Sequence, residues 1–266
     1  MARIDVQGAL ALVTGAGGGI GRETALALAR RGARVLCTGR TAETVERTAE
    51  LCRSVGAEAE SHVLDVTDRA AMEALAARAP VDILVNNAGV GMSGHLAETT
   101  AADWTWIRGV NLDGVVHGCA VFAPGMLARG RGHIVILSSG LAYLYPGTEP
   151  AYVATKAAVL ALSRSLRADL APRGVGVTAI CPGITDTAIV DTTRYLGSRA
   201  EETVRARSRA RFDRGHPPAE VATAIVRAVE RNRAVVPVGI EARVGWWLHR
   251  YLPLRAQQVI SSLPLT

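Results

Sequence analysis

Short apolar runs alternate along the chain with longer segments in which apolar residues recur every three or four positions. The first run, residues 9–14, is bounded by glycines and predicts a buried strand, and the helical pattern after it ends at Gly32. Further strands are predicted at residues 35–38, 61–64, 83–85, 133–137, 175–180 and 234–238. Helices are predicted at residues 42–55, 68–78, 104–126, 152–170 and 219–230.

Strict alternation of strands and helices predicts an α/β fold with one parallel sheet covered on both faces. Right-handed crossovers then give a doubly wound, Rossmann-type sheet in a single domain. We assign residues 1–240 to this domain, with an insert at 188–215, and residues 241–266 to a C-terminal amphipathic tail. No apolar run reaches the length of a membrane span, and the N-terminus has no apolar signal segment. A cytoplasmic location is therefore expected.

The net charge of +6 is concentrated in two stretches of the 266-residue chain. Residues 188–215 carry seven arginines and four acids, and residues 241–266 carry three arginines and one acid. Neither stretch interleaves basic residues with aromatics as a nucleic-acid face would, so no nucleic-acid partner is expected. The four cysteines are far apart and favour buried free thiols, and no His, Cys and acid cluster predicts a metal site.

Only one of the 30 basic residues is a lysine, Lys156. Arginine is always charged and its planar fork is bulky, whereas a lysine ammonium is compact and can donate three hydrogen bonds. Lys156 follows Tyr152 by four residues in a predicted helix, so the two side chains share one face. This spacing favours a functional pair over two unrelated surface residues.

Residues 14–21, Thr-Gly-Ala-Gly-Gly-Gly-Ile-Gly, join the first strand to the first helix. Glycines let a backbone approach a pyrophosphate, and a helix N-terminus offers unpaired N–H groups to it. The spacing is T-G-x-x-x-G-x-G and does not match G-x-G-x-x-G. Its position after the first strand favours a nucleotide site over an ordinary tight turn.

Other segments follow in a fixed order: Asp65-Val66, Asn86-Asn87-Ala88-Gly89, Asn111, Ser138-Ser139, Tyr152-x-x-x-Lys156 and Pro182-Gly183. Together with the glycine loop, this set resembles the short-chain dehydrogenase/reductase family over residues 14–187. The resemblance implies catalytic roles for Asn111, Ser139, Tyr152 and Lys156. Tyr152 would act as acid or base, so its pKa of about 10 must fall, and the Lys156 ammonium is expected to lower it. Ser138 competes with Ser139 for the substrate oxygen, and an interval of 13 residues to Tyr152 selects Ser139.

The resemblance also implies a nicotinamide cofactor. Asp65 would accept from the adenine amino group, although a strand-end cap is the alternative role for this residue. The implied cofactor-binding residues are Gly15, Gly19, Ile20, Gly21, Arg40, Asp65, Val66, Asn86, Ala88, Tyr152, Lys156, Pro182, Gly183, Thr185 and Thr187.

The residue after the second strand bears on the choice between NADP(H) and NAD(H). Arg40 stands there and no acid precedes Glu43, so we favour NADP(H), with Arg40 at the 2′-phosphate. NADP-preferring relatives often carry a second basic residue where this chain has Gly18. Arg22 is expected to lie too far along the helix to replace it.

The expected substrate is a small molecule, a bulky hydrophobic ketone or alcohol. The segments that build the family's substrate pocket contain apolar and aromatic residues in this chain, namely Val90, Met92, Leu141, Tyr143 and Tyr145. The Arg-rich stretch 198–211 is interpreted as a solvated lid helix in preference to a site for an acidic substrate.

Three aromatics beside basic residues in the segment 244–252 suit a helix that contacts a partner subunit or the lid, and this interpretation is favoured over contact with a membrane surface. A homo-oligomer is expected. An NAD-linked alcohol dehydrogenase, or a nucleotide sensor without turnover, stand as alternatives to the NADP(H) oxidoreductase.

Overall fold

A computed structural model describes residues 4–257 and contains a seven-stranded, all-parallel sheet in the order β3-β2-β1-β4-β6-β7-β9. The order runs outward from β1 in both directions, which is the doubly wound arrangement predicted from the sequence. The strands are β1 Leu10–Thr14, β2 Arg34–Gly39, β3 Ala59–Val63, β4 Ile83–Asn86, β6 Gly132–Leu137, β7 Val175–Pro182 and β9 Val235–Val238. A separate parallel pair joins β5 Met92–Ser93 to β8 Arg194–Tyr195.

Ten α-helices lie wholly within the described residues. They are α1 Gly19–Ala29, α2 Ala42–Ser54, α3 Arg69–Ala76, α4 Ala101–Arg108, α5 Gly114–Ala128, α6 Pro150–Leu170, α7 Ile189–Thr192, α8 Glu202–Asp213, α9 Pro218–Glu230 and α10 Ile240–Tyr251. Helices α1, α2 and α9 bury apolar residues on one face of the sheet, and α3, α5 and α6 bury theirs on the other. The four cysteines are free and buried in this packing.

The predicted helix over residues 104–126 is wrong in one respect. The structure has α4, then a π-helical turn at Gly109–Asp113, then α5, because Asn111 in that turn bonds to backbone outside the helix. The pair β5–β8 was not predicted, since two-residue strands leave no periodicity to detect. Helix α6 begins at Pro150, two residues before the predicted start, as suits proline in a first turn.

The continuous helical stretch Ala101–Ala128 is long and apolar enough to cross a membrane by length and composition. Its residues Val115, Phe122 and Met126 are buried against the sheet. We therefore describe it as a core helix of the domain.

Candidate active site

The glycine loop joins β1 to the N-terminus of α1 in a conformation that few other residues could adopt. Gly15 and Gly19 have φ of +65° and +50°. A Cβ on Gly21 would lie 2.2 Å from the Gly15 carbonyl oxygen, so a side chain is excluded there. The loop and the helix N-terminus together form a cradle that fits the pyrophosphate of a dinucleotide.

Thr14 and Asn87 hold this loop against the end of β4. The Thr14 hydroxyl accepts from the backbone N–H groups of Asn87 and Ala88, both at 3.0 Å. The Asn87 side-chain amide donates to the Thr14 carbonyl at 2.8 Å and to the Gly15 carbonyl at 3.2 Å. Neither residue was among the predicted site residues, although both belong to the motifs that were recognised. They position the loop, and a spacing pattern alone does not reveal that role.

Arg22 corrects an expectation from the sequence. Its guanidinium turns back along α1 and donates to the Gly17 carbonyl at 2.5 Å and to the Thr48 hydroxyl at 3.3 Å. A positive charge therefore lies beside the glycine loop after all. Arg40 is exposed immediately after β2, and no hydrogen bond or ion pair to it is found within residues 4–257.

Asp65 and Val66, the residues predicted to contact the adenine, follow β3, and Asn86, a predicted cofactor-binding residue, ends β4. One Asp65 carboxylate oxygen accepts from the Thr67 N–H and hydroxyl, so Asp65 does cap the turn after β3. Val66 is buried beside Ala88. The Asn86 amide points inward and donates to Cys119 Sγ at 3.5 Å, so a cofactor contact at Asn86 can involve its backbone only.

Tyr152 and Lys156 lie in the first half of α6, one turn apart. The Lys156 Nζ donates to the Leu137 carbonyl at 2.9 Å and lies 5.8 Å from the centroid of the Tyr152 ring. The side chain is buried, with 4% of its surface exposed. A Cβ on Gly89 would lie 3.3 Å from Nζ, so glycine at the end of the Asn-Asn-Ala-Gly segment makes room for the ammonium.

Burial controls the ionisation of this pair. It raises the pKa of Tyr152 to about 12, while a hydrogen bond with Ser139 opposes the rise and the charge of Glu149 adds to it. Burial also lowers the pKa of Lys156 to about 8. The expected lowering of the tyrosine pKa is therefore not present in this structure. Both shifts favour the neutral forms, because each charge has lost its hydration.

Ser138 and Ser139 make different contacts. The Ser138 hydroxyl donates to the Lys156 carbonyl at 2.8 Å and is committed to α6. The Ser139 hydroxyl acts to lower the pKa of Tyr152 and accepts from the Leu141 N–H at 3.1 Å. Ser139 is thus the serine that shares a site with the tyrosine.

Asn111 is fully buried in the π-helical turn between α4 and α5. Its amide accepts from the Val90 N–H at 2.8 Å and donates to the Val90 carbonyl at 2.9 Å and to the Thr155 hydroxyl at 3.3 Å. A Cβ on Gly89 would lie 3.3 Å from the Asn111 Oδ1 as well as from Lys156 Nζ. Asn111 therefore lies next to Lys156. It also holds the backbone of Val90, in the segment that follows β4.

The segment after β7, residues 183–187, is bonded to a network of two carboxylates and a histidine. Glu241 at the start of α10 accepts from the Ile184 N–H at 2.7 Å and contacts His216 Nε2 at 3.0 Å. His216 Nδ1 lies 3.0 Å from Glu220 on α9, and its backbone N–H donates to the Ile184 carbonyl. Both carboxylates raise the pKa of His216, Glu241 more strongly. The sequence did not single out this network.

Thr187 faces the glycine loop, whereas Thr185 is turned inward. A Cβ on Gly19 would lie 3.1 Å from the Thr187 methyl group, and both residues line one cavity of about 550 Å³. Thr185 is buried, and its hydroxyl donates to the Gly183 carbonyl at 3.2 Å. Any cofactor contact at Thr185 would thus use its backbone, and Pro182 and Gly183 lead the chain into this segment from β7.

The 188–215 insert closes over the same cavity. Arg209 on α8 pairs with Asp186, Asp191 and Asp213, at 3.5, 2.8 and 2.6 Å. Helix α8 buries none of its residues, which agrees with the interpretation of the Arg-rich stretch as a solvated lid. The strand pair β5–β8 and a bond from Arg199 to the Ser93 hydroxyl at 3.1 Å tie the insert to the segment after Gly89.

Two tyrosines expected in the substrate pocket face α10. The Tyr143 hydroxyl donates to the Ala242 carbonyl at 2.8 Å, and its ring packs on Trp246. Tyr145 is exposed and contacts the His249 ring. The apolar residues that pack with Tyr152 are instead Val90, Met92 and others of the same cluster. The sequence could not tell which way the short helix after Ser139 would turn.

The sheet order, glycine cradle and strand-end site define a dinucleotide-binding protein of the Rossmann type. The family model for short chain dehydrogenases matches residues 9–195, and the chain belongs to this family. A probable oxidoreductase EphD of Mycobacterium tuberculosis is 42% identical over 255 residues, which cover 92% of this chain and 43% of that protein. The chain thus spans less than half the length of this relative.

Solved structures agree with the fold and with a nicotinamide cofactor in related chains. A short-chain dehydrogenase/reductase from Burkholderia phymatum in complex with NAD has a TM-score of 0.88 and 31% identity over 99% of both chains. A putative NAD(P)-dependent gluconate 5-dehydrogenase from Beutenbergia cavernae with bound NADP has a TM-score of 0.78 and 36% identity, covering 93% of this chain and 99% of that one.

Proposed function

We propose that this chain is an NADP(H)-dependent oxidoreductase that transfers a hydride between nicotinamide and the carbonyl or secondary alcohol of a hydrophobic substrate. One observation carries the proposal. The only lysine of the chain is buried one turn from Tyr152, Ser139 opposes the rise of the Tyr152 pKa, and the same chain has the glycine cradle. A nucleotide sensor without turnover would have no use for this combination.

In this reaction Tyr152 gives a proton to the substrate oxygen during reduction and takes it back during oxidation. The Ser139 hydroxyl donates to the same oxygen and polarises the carbonyl. Lys156 lies one helical turn from Tyr152 and next to Asn111. Its ammonium can also donate a hydrogen bond to a ribose hydroxyl of the cofactor. A bound nicotinamide cofactor would supply or accept the hydride. The glycine cradle and residues 183–187, including Thr187, would hold that cofactor.

The preference for NADP(H) rests on Arg40 and Arg22. Arg40 is exposed at the end of β2, where an acid would favour a free ribose hydroxyl, and Arg22 adds positive charge at Gly17. Arg40→Ala should weaken NADPH binding at least tenfold more than NADH binding, since a charged contact contributes about 1.5–3 kcal/mol. Titration of each cofactor by fluorescence measures this. Equal loss for both cofactors would contradict the preference, and Arg47→Ala on α2 is the control.

The hydrophobic substrate follows from the side chains that pack with Tyr152. Val90, Met92 and Ile107 are buried in that cluster, and Trp104 and Trp106 lie at its edge. Bulky apolar ketones and alcohols match such walls better than sugars do. We also keep a cytoplasmic location and a homo-oligomeric assembly as parts of the proposal.

Tyr152→Phe tests the mechanism directly. The substitution removes one hydroxyl, so reductase turnover with NADPH across a panel of apolar ketones should fall by about 10²–10⁴-fold while NADPH still binds. Tyr145→Phe, at an exposed tyrosine of the neighbouring segment, should leave turnover unchanged. Unaltered turnover in the Tyr152 variant would falsify the acid–base role, and cofactor binding without turnover in the wild type would favour the sensor.

An NAD-linked alcohol dehydrogenase is the second candidate, because the similar Burkholderia phymatum structure is a complex with NAD. Absorbance of reduced nicotinamide, followed with both cofactors in both directions, separates the two. A higher kcat/KM for alcohol oxidation with NAD than for ketone reduction with NADPH would establish the second candidate.

A further inference from the structure

Helix α10 presents an apolar stripe on the outside of the domain. Ile240, Val244, Trp247 and Tyr251 are 68%, 48%, 57% and 61% exposed. Their spacing of four, three and four residues places them on one side of the helix. The centroids of the Trp247 and Tyr251 rings are 5.4 Å apart, so the two rings pack together and the stripe is continuous in its C-terminal half.

The opposite side of α10 fixes this orientation. Ala242 and Gly245 are buried, and a Cβ on Gly245 would lie 2.8 Å from the Leu144 side chain. Trp246 packs edge-on against Tyr143 at 5.3 Å, and the Tyr143 hydroxyl bonds to the helix backbone. The helix cannot turn the apolar stripe inward without losing these contacts.

Arginines border the stripe. Arg243 and Arg250 are seven residues apart, so they follow one edge of the stripe, and both are exposed. Within residues 4–257 neither forms an ion pair with a carboxylate. The one acid of the helix, Glu241, is engaged by Ile184 and His216 behind it. The outer face of α10 is therefore apolar at its centre and positive at its edge.

We propose that the outer face of α10 binds peripherally to an anionic phospholipid surface. Tryptophan and tyrosine suit the boundary between acyl chains and headgroups, and arginines beside them attract anionic headgroups. A second copy of the chain fits this face less well. In an antiparallel pair of α10 helices, Arg243 and Arg250 of one copy would lie against the same arginines of the other, and the like charges would repel. The inference goes beyond the proposed chemistry and does not depend on it.

Flotation with vesicles tests the proposal. The wild type should bind vesicles of phosphatidylcholine containing about a third phosphatidylglycerol and should be released by high salt, whereas pure phosphatidylcholine should bind it far more weakly. Replacing both arginines, Arg243→Gln with Arg250→Gln, should lower the partition coefficient about 30-fold, since each basic residue contributes roughly fivefold. Trp247→Ser with Tyr251→Ser should abolish binding.

A matched control replaces exposed apolar residues elsewhere, Val63→Ser with Leu96→Ser, and should bind as the wild type does. Thermal melts establish that each variant is folded. Acyl chains brominated near the headgroup should quench wild-type fluorescence more than that of Trp247→Phe. Equal binding to both kinds of vesicle, an equal loss in the control, or no vesicle binding would overturn the proposal. So would a dimer that the Trp247 and Tyr251 changes dissociate in the absence of lipid binding.

Discussion

Lys156 is fixed by its surroundings at both ends. Its Nζ donates to the Leu137 carbonyl, and its own carbonyl accepts from the Ser138 hydroxyl. A Cβ on Gly89 would lie only 3.3 Å from Nζ, closer than ordinary van der Waals contact, so there is little free space beside the ammonium. Because burial disfavours the charge, the pocket suits a compact amine that can gain or lose its proton, and not a permanently charged fork.

Lys156→Arg should therefore remove most of the activity although it keeps a basic residue. The guanidinium is wider than the space left by Gly89 and cannot reproduce the single bond to Leu137, so kcat should fall at least about 100-fold. Arg164→Lys, on the exposed side of the same helix α6, is the control and should have no effect. Activity within a few-fold of the wild type would show that any cation serves at this position.

At the scale of single elements, the π-helical turn at Gly109–Asp113 shows how tertiary contacts shape a helix. A π-helical turn inserts extra backbone into a helix and is often found at functional sites. Here it carries Asn111, which bonds to both backbone groups of Val90. The turn thus links the helical stretch α4–α5 to Gly89 and Val90, which follow β4 and border Lys156.

Asn111→Ala should destabilise the protein as well as the site. It leaves the N–H and carbonyl of Val90 without partners in a buried position, which costs about 2–4 kcal/mol of the free energy of unfolding. Urea denaturation measures this directly. Thr155→Val removes the 3.3 Å bond from Asn111 and the 2.9 Å bond from the Thr155 hydroxyl to the Tyr152 carbonyl, but it leaves both backbone groups of Val90 paired and should cost clearly less. A loss below about 0.5 kcal/mol for Asn111→Ala would mean that water satisfies Val90.

Periodicity and motif order were sufficient to predict the sheet, its helices and the elements that carry Ser139, Tyr152 and Lys156. They did not reveal features created by chain segments that meet only in the folded state. The turn at Asn111 depends on Val90, and the placement of the Arg22 charge depends on a side chain that folds back to Gly17. The tyrosine pKa likewise depends on burial, which a four-residue spacing does not report.

On the scale of the whole molecule, α9, α10 and the segment after β7 meet at His216. The imidazole lies between Glu220 and Glu241, and Glu241 also binds the backbone of Ile184. One side chain therefore connects the C-terminal helices to the segment that borders the proposed cofactor cradle. Its protonation strengthens both carboxylate contacts at once.

Stability should consequently depend on pH through His216. Folding raises its pKa above the ordinary 6.5, so its stabilising contribution is complete below pH 6.5 and disappears as the pH rises through the raised pKa. His216→Gln should remove that pH-dependent part, which we expect to be less than about 1 kcal/mol for a partly exposed group. Urea denaturation at low and high pH measures the difference.

The control is His62→Gln on β3, which alters a half-buried histidine beside the exposed Glu60 and should leave the pH dependence unchanged. If His216→Gln keeps the full wild-type pH dependence, the network does not couple protonation to folding.

The lysine in the site also decides how the molecule meets reagents that acylate amines. Lys156 is the only lysine of the chain and carries its one side-chain amine, which is 4% exposed and lies beside Tyr152. Apart from the chain's amino terminus, an activated ester has no other nitrogen of this kind to modify. Because this amine is buried, its rate of acylation in the folded protein would report how far the site opens, and protection by a bound dinucleotide would report occupancy without any substrate.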